Sequence, residues 1–223
     1  MKKAFTMMEL IFVIIVMGIL AAIVTPRVER DLVREAAIQL VSHIRYTQHL
    51  ALVDDKYNLN TSDPDDRWWR GRWQLKFKNS NTETNGEESY TIFSDSYAIS
   101  TYSGNANSKN EIATNPQDKS KKLTGGDSAV HYDNKEATRS MNLGMTYGIT
   151  NVGLGSNCTD NNSKGLAFDH LGRPLKGGYS SFSSPYPSSS NLITSDCNIT
   201  LTGASGSIIV TITPETGYTY IAN

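Results

Sequence analysis

Residues 1–26 read MKKAFTMMELIFVIIVMGILAAIVTP, and the use the chain makes of this stretch decides its architecture. Lys2 and Lys3 precede a run from Leu10 to Val24 that contains only apolar residues and glycine. Glu9 stands at the edge of the run, and Pro26 follows it. A secretory signal peptide would explain the basic start and the apolar core, but it needs small residues at the third and first positions before the cut. Ala21 and Ala22 are preceded two positions earlier by Ile19 and Leu20, so no such site follows the run. A transmembrane helix is the second use. Phe5 to Val24 is 20 residues, about 30 Å of helix at roughly 1.5 Å per residue, enough to cross a bilayer. Lys2 and Lys3 would then stay on the cytoplasmic side. Neither use accounts for Glu9, because a carboxylate at this depth costs roughly 2.5–3.5 kcal/mol and marks a functional position.

A third use accounts for it. The segment Ala4-Phe5-Thr6-Met7-Met8-Glu9-Leu10 resembles the processing site of type IV pilins and type II secretion pseudopilins. The resemblance implies a short basic leader cut before Phe5, methylation of the new amine, and a carboxylate at the fifth mature position, which is Glu9 when the cut falls after Ala4. It also implies proline at the 22nd mature position, here Pro26. The family usually has glycine before the cut, where this chain has Ala4. A methylated amine on Phe5 is a positive charge in apolar surroundings. Glu9 of a neighbouring subunit can neutralise it, so that two costly buried charges become one pair.

The expected division is a leader at 1–4, a membrane and assembly helix at 5–26, an amphipathic helix at 27–53 and a β-rich periplasmic body at 54–223. The amphipathic part shows its period plainly: Val28, Leu32, Ala36, Leu40 and Ile44 form one row, and Val33, Ala37 and Val41 the next. Pro26 removes one backbone hydrogen bond and is expected to bend the helix rather than end it. The expected fold is α+β: a long N-terminal helix, its first half membrane-spanning, packed on an antiparallel sheet.

In the body, Trp73–Lys78 alternates apolar and polar residues as a half-buried strand does. Further strands are expected at Tyr90–Tyr102, Met141–Val152, Gly165–Phe168, Ile199–Leu201, Ser207–Thr213 and Tyr218–Ile221, with a turn at Pro214–Gly217. Gly104–Asp127 and Ser180–Asn191 are polar and rich in turn residues, which predicts surface insertions. The segment Ala167–Pro174, with the closing Ile212–Tyr218, is similar to the C-terminal half of H-type pseudopilins and related minor pilins.

Candidate chemistry is sparse. Cys158 and Cys197 lie in no CxxC pair and have no histidine at ligand spacing, so no zinc site is expected. In an exported protein they read as one disulfide, the alternative being two buried thiols. Asp63, Asp65 and Asp66 can ligate calcium through oxygen, but the EF-hand glycine and closing glutamate are missing, which favours a solvated acidic loop. Trp68 and Trp69 with Arg70 and Arg72 can stack on bases or sugars, or cover the helix–sheet core, and the second use is favoured. Asp169-His170 is the one acid–histidine neighbour pair, and no nucleophile motif accompanies it. No catalytic residue, metal or cofactor is expected.

The whole chain has 21 basic and 22 acidic residues, and without Lys2 and Lys3 the balance is 19 to 22. The part from Asp54 onward has 15 basic and 18 acidic residues. Neither gives the electrostatic footprint of a general nucleic-acid binder. The resemblance implies a prepilin peptidase, other pilin or pseudopilin subunits, an inner-membrane assembly platform and membrane lipid as partners. It implies a place in the bacterial inner membrane, with the body in the periplasm, and then in a pseudopilus or pilus. A filament-tip module for DNA uptake or adhesion and a membrane-tethered periplasmic enzyme are the competing functions.

Overall fold

Thr6 opens the first helix, α1 (Met7–Val24), by accepting a hydrogen bond from the Glu9 backbone N–H on its hydroxyl at 3.3 Å. The structure is a computed structural model that describes residues 6–24, 31–57, 67–96, 102–160, 163–186 and 191–222. It divides into two compact units, Met1–Asp31 and Leu32–Asn223. α1 is the described element of the first, and its side chains are exposed from Met7 to Leu20. Everything below belongs to the second unit.

Helix α2 (Leu32–Val53) buries Val33, Ala36, Ala37, Leu40, Ile44, Thr47 and Ala51; of the two expected rows, Leu32 is instead exposed, Val41 is half-buried, and Val28 lies outside the described residues. Among the described residues eight strands form two antiparallel four-stranded sheets. The first contains β1 (Trp73–Lys78), β2 (Ser89–Ser94), β4 (Gly165–Phe168) and β5 (Pro174–Lys176), in the order β2-β1-β4-β5. The second contains β3 (Ile149–Leu154), β6 (Cys197–Gly203), β7 (Gly206–Ile212) and β8 (Thr219–Ala222), in the order β3-β6-β7-β8. One core joins the α2 stripe to Leu75, Phe77, Tyr90, Ile92, Leu166 and Phe168 of the first sheet and to Ile149, Val152, Ile199, Leu201, Val210 and Ile212 of the second. Alternation along each strand sends these residues to the helix side.

The outer face of the first sheet is also covered. Phe93 packs with Ala106, Ile112, Val130 and Ala137 in a satellite cluster. Thr91 and Thr124 share a hydroxyl–hydroxyl hydrogen bond of 2.7 Å beneath it. Ala167, Leu175, Tyr179 and Phe182 form a third cluster at the other end of that face.

Four expectations need correction. There is no single long helix. Asp31 is non-helical, and the two long helices have 18 and 22 residues. Proline lacks an N–H and clashes with the carbonyl four residues back, and Pro26 falls between the two, outside the described residues. Among the described residues no helix is long and apolar enough to cross a membrane. The body is likewise not one sheet. β3 pairs with β6 rather than with its chain neighbours, so the strands sort into two ladders that α2 bridges. Met141–Val152 is not one strand. Asn142 caps a short helix, α3 (Leu143–Tyr147), by accepting from the Met145 N–H at 3.0 Å, and Gly148 closes it at φ 67°, before β3 begins. Finally, Gly104–Asp127 is not a plain surface insertion. It buries Ala106, Ile112, Ala113 and Leu123 and bridges β2 through Ile112 and Thr124. The strand expected at Tyr90–Tyr102 corresponds to β2, Ser89–Ser94, and residues 97–101 lie outside the described residues.

A polar network crosses from α2 to β2 and α3. Gln39 Nε2 donates to the Tyr90 hydroxyl at 3.0 Å and to the Ser140 carbonyl at 2.7 Å, and the Tyr147 hydroxyl donates to Gln39 Oε1 at 2.8 Å. The Tyr90 hydroxyl lies 2.7 Å from His43 Nδ1, and neutral imidazole can accept its proton. Burial pushes the His43 pKa down to about 4, from an ordinary value near 6.5. The unfolded chain therefore binds a proton as pH falls through about 6.5, and the folded chain does not until about 4. Stability present above pH 6.5 is lost across that window, by about 3 kcal/mol at most. Melting temperature should fall more steeply between pH 6.5 and 4.5 in the wild type than in His43→Gln, which keeps an acceptor but cannot titrate. Parallel pH profiles for the two proteins would remove His43 from the account.

Candidate functional site

The candidate residues fall in both units. In the first, Ala4, Phe5 and Pro26 lie outside the described residues, while Glu9 lies in the first turn of α1. Thr6 and Glu9 have the spacing of a capping box, in which a threonine side chain satisfies the backbone N–H three residues on. Thr6-x-x-Glu9 was a readable signal for where the helix starts, lying within the segment that resembles a processing site. From Met7 to Leu20 every apolar side chain of α1 larger than alanine is exposed, with Met7 and Met8 both at 79%. A helix apolar on all sides needs other apolar surface around it.

In the body, Cys158 and Cys197 form a disulfide, with both residues fully buried and Cα atoms 4.9 Å apart. Cys158 lies in the turn that follows β3, and Cys197 opens β6. One backbone and one side-chain hydrogen bond reinforce the joint: Gly155 N–H donates to the Asn198 carbonyl at 2.9 Å and Asn157 Nδ2 to the Asp196 carbonyl at 3.3 Å.

The two C-terminal segments singled out in the sequence meet at one side chain. Gln48 of α2 donates through Nε2 to the Gly172 carbonyl at 2.7 Å and to the Thr216 carbonyl at 2.8 Å. Gly172 and Gly217 both have positive φ, and a Cβ on Gly217 would stand 2.7 Å from Gln48 Nε2 and 2.9 Å from the Gly172 carbonyl oxygen. Close approach and backbone conformation both require glycine there. Asp169 holds the first of these turns. Its carboxylate is buried and accepts from the Leu171 and Arg173 backbone N–H groups, the Arg173 guanidinium and the Tyr186 hydroxyl, at 2.8–3.0 Å. Burial pushes the Asp169 pKa up. The Arg173 N–H, the Tyr186 hydroxyl and the Arg173 guanidinium outweigh it and hold the carboxyl below its ordinary range. His170 is exposed, and Asp169 spends its oxygens on the turn, so the pair is not assembled as a dyad.

The aromatic and basic run after residue 67 serves packing. Trp69 Nε1 and Arg70 Nε both donate to the Phe182 carbonyl, at 3.0 and 2.9 Å, and Arg72 donates to the Pro185 carbonyl at 2.8 Å. The Arg72 guanidinium stacks near the rings of Trp68 and Tyr186. The acidic residues Asp63, Asp65 and Asp66 lie outside the described residues. Among the described residues no group of three or more His, Cys, Asp or Glu side chains is placed to hold a metal ion. Gln48 and Gln39 were not singled out from sequence, and Asp169 was considered only as a partner for His170, not as the acceptor that holds its own turn. Each acts across more than 100 residues or within an irregular turn, where spacing carries no signal. No protein-family model, curated protein or solved structure matches the chain.

Proposed function

We propose that the chain is a non-enzymatic, pilin-like filament subunit, processed by a prepilin peptidase after Ala4 and assembled through its N-terminal segment into a type II secretion pseudopilus or a type IV pilus. The observation that carries this reading is α1: apolar on every side and exposed from Met7 to Leu20, with a single carboxylate, Glu9, in its first turn. Such a surface is satisfied by neighbouring α1 helices in an assembly or by membrane lipid. Glu9 supplies the counter-charge for a neighbour's Phe5 amine. The partners of this subunit are the peptidase, other pilin or pseudopilin subunits and the inner-membrane platform that assembles them, and its body faces the periplasm. There the buried disulfide is chemically at home.

Processing is the direct test. Intact mass of the protein recovered from an expressing bacterium should lack Met1–Ala4 and carry one added methyl group on Phe5. A chain that retains Met1 or is cut near Ala22 rejects the pilin-like reading.

A further inference from the structure

We infer that a recess on the outer face of the first sheet, between β1 and the loops that cover it, is a binding site for a small free carboxylate. β1 alternates Leu75 and Phe77 toward the core with Gln74 and Lys76 toward the outer face. Gln74 is 2% exposed, and its Nε2 has no hydrogen-bond partner among the described residues. A buried donor left without a partner is costly, so the native site is completed by something that accepts. Lys76 Nζ donates to the Gly104 carbonyl at 2.7 Å and to Asn105 Oδ1 at 2.9 Å. An ammonium has three N–H groups, which leaves one to direct into the recess.

The recess has a volume of about 50 Å³ and is also lined by Ser163, Ser180, Gly104 and Gly177. It exists because side chains are missing. Gly104 has φ +76°, and a Cβ there would stand 2.8 Å from Ser180 Oγ. Gly177 has φ +115°. Among the lining residues Lys76 carries the sole formal charge, and the two side chains at the floor offer N–H groups. A carboxylate only accepts, which is the complement of that set, and a charged acceptor strengthens each bond. Asp160 packs close to Gly177, where a Cβ would stand 3.4 Å from its Oδ2, while two other acids that act on Lys76 are engaged elsewhere. Asp95 accepts from the Gly104 N–H at 2.6 Å, and Asp127 accepts from Ser128 and lies 3.6 Å from Lys78. Burial lowers the Lys76 pKa, and Asp127 and Asp95 act against it, helping to keep the ammonium charged. The volume suits an acid of formate or acetate size and is too small to enclose a hexose. The inference does not depend on the filament reading.

The test is a titration of the full chain, in detergent micelles, followed through the Gln74 side-chain amide by nitrogen-15 NMR. Sodium acetate and sodium formate are compared with sodium chloride at equal ionic strength and with glycerol. A saturable displacement with acetate, half-complete on the order of millimolar, is the expected result, with affinity at least tenfold weaker in Lys76→Met. An equal saturable response to chloride or glycerol would overturn the carboxylate assignment. No saturable response at all would mean that water completes the site. If Lys76→Met does not fold, Gln74→Met removes the orphan donor and keeps the charge. Acetate should then no longer raise the melting temperature, and a rise equal to that of the wild type would also overturn the proposal.

Discussion

Replacing Cys158 and Cys197 together by serine should lower the melting temperature by on the order of 10 °C. The bond closes a separation of 39 residues. In the chain-entropy model that closure removes about 4 kcal/mol of freedom from the unfolded state, and for a body of this size each kcal/mol shifts the transition by roughly 2–4 °C. The enclosed segment contains β4, β5 and the Tyr179–Phe182 cluster. It is held to the second sheet at the joint between the β3 turn and the start of β6. Loss of the bond should therefore raise protease sensitivity between Lys176 and Asp196 before it disturbs α2, whose stripe is packed on both sheets. Thermal melts, limited proteolysis with mass spectrometry and thiol labelling of unreduced, denatured protein check the chain of reasoning in that order. Two reactive thiols in protein taken from the periplasm would show that packing alone holds the segment.

On the filament reading proposed above, Glu9→Gln should reduce incorporation into filaments at least tenfold while leaving the monomer in the membrane fraction. The substitution keeps size and hydrogen-bonding capacity and removes the charge, so entry of α1 into apolar surroundings becomes easier. Assembly should suffer because a neighbour's Phe5 amine would remain buried without its counter-charge. Breaking one partner of such a pair costs roughly 3–5 kcal/mol, more than the 1.4 kcal/mol that corresponds to tenfold in an equilibrium. Quantifying wild-type and mutant subunits in sheared filaments against the membrane pool distinguishes the outcomes. Equal incorporation would sink the charge-pair role, and Thr6 and Glu9 would be left as a helix cap.

Two parts of the body behave differently from what their composition implies, and both do so for long-range reasons. Gly104–Asp127 looks polar because its apolar residues are few. The pair Ile112–Ala113 and the single Leu123 are buried beside β2, so no period records them. The first sheet is consequently covered on both faces, and Gln74 and Lys76, which read as the solvent side of an alternating strand, lie under loops. Asn142 and Gly148 did hold a local signal for α3, but the β-branched residues after them dominated the reading.

What the sequence determined by itself is whatever depends on near neighbours. The α2 stripe from Val33 to Ala51 repeats at helical spacing, β1 alternates from Trp73 to Lys78, and Gly217 closes the Pro214–Gly217 turn at positive φ, although Glu215 there also has φ 57°. These follow from backbone periods of 3.6 and 2 residues and from glycine's freedom at positive φ. Tertiary structure alone decided that the strands form two ladders rather than one, and that Gln48 ties the Gly172 turn to the Thr216 turn, whereas the pairing of the chain's two cysteines was already legible from their count. Pairing partners are chosen by hydrogen bonds and burial summed over residues far apart in the chain, and no spacing within a single segment encodes that sum.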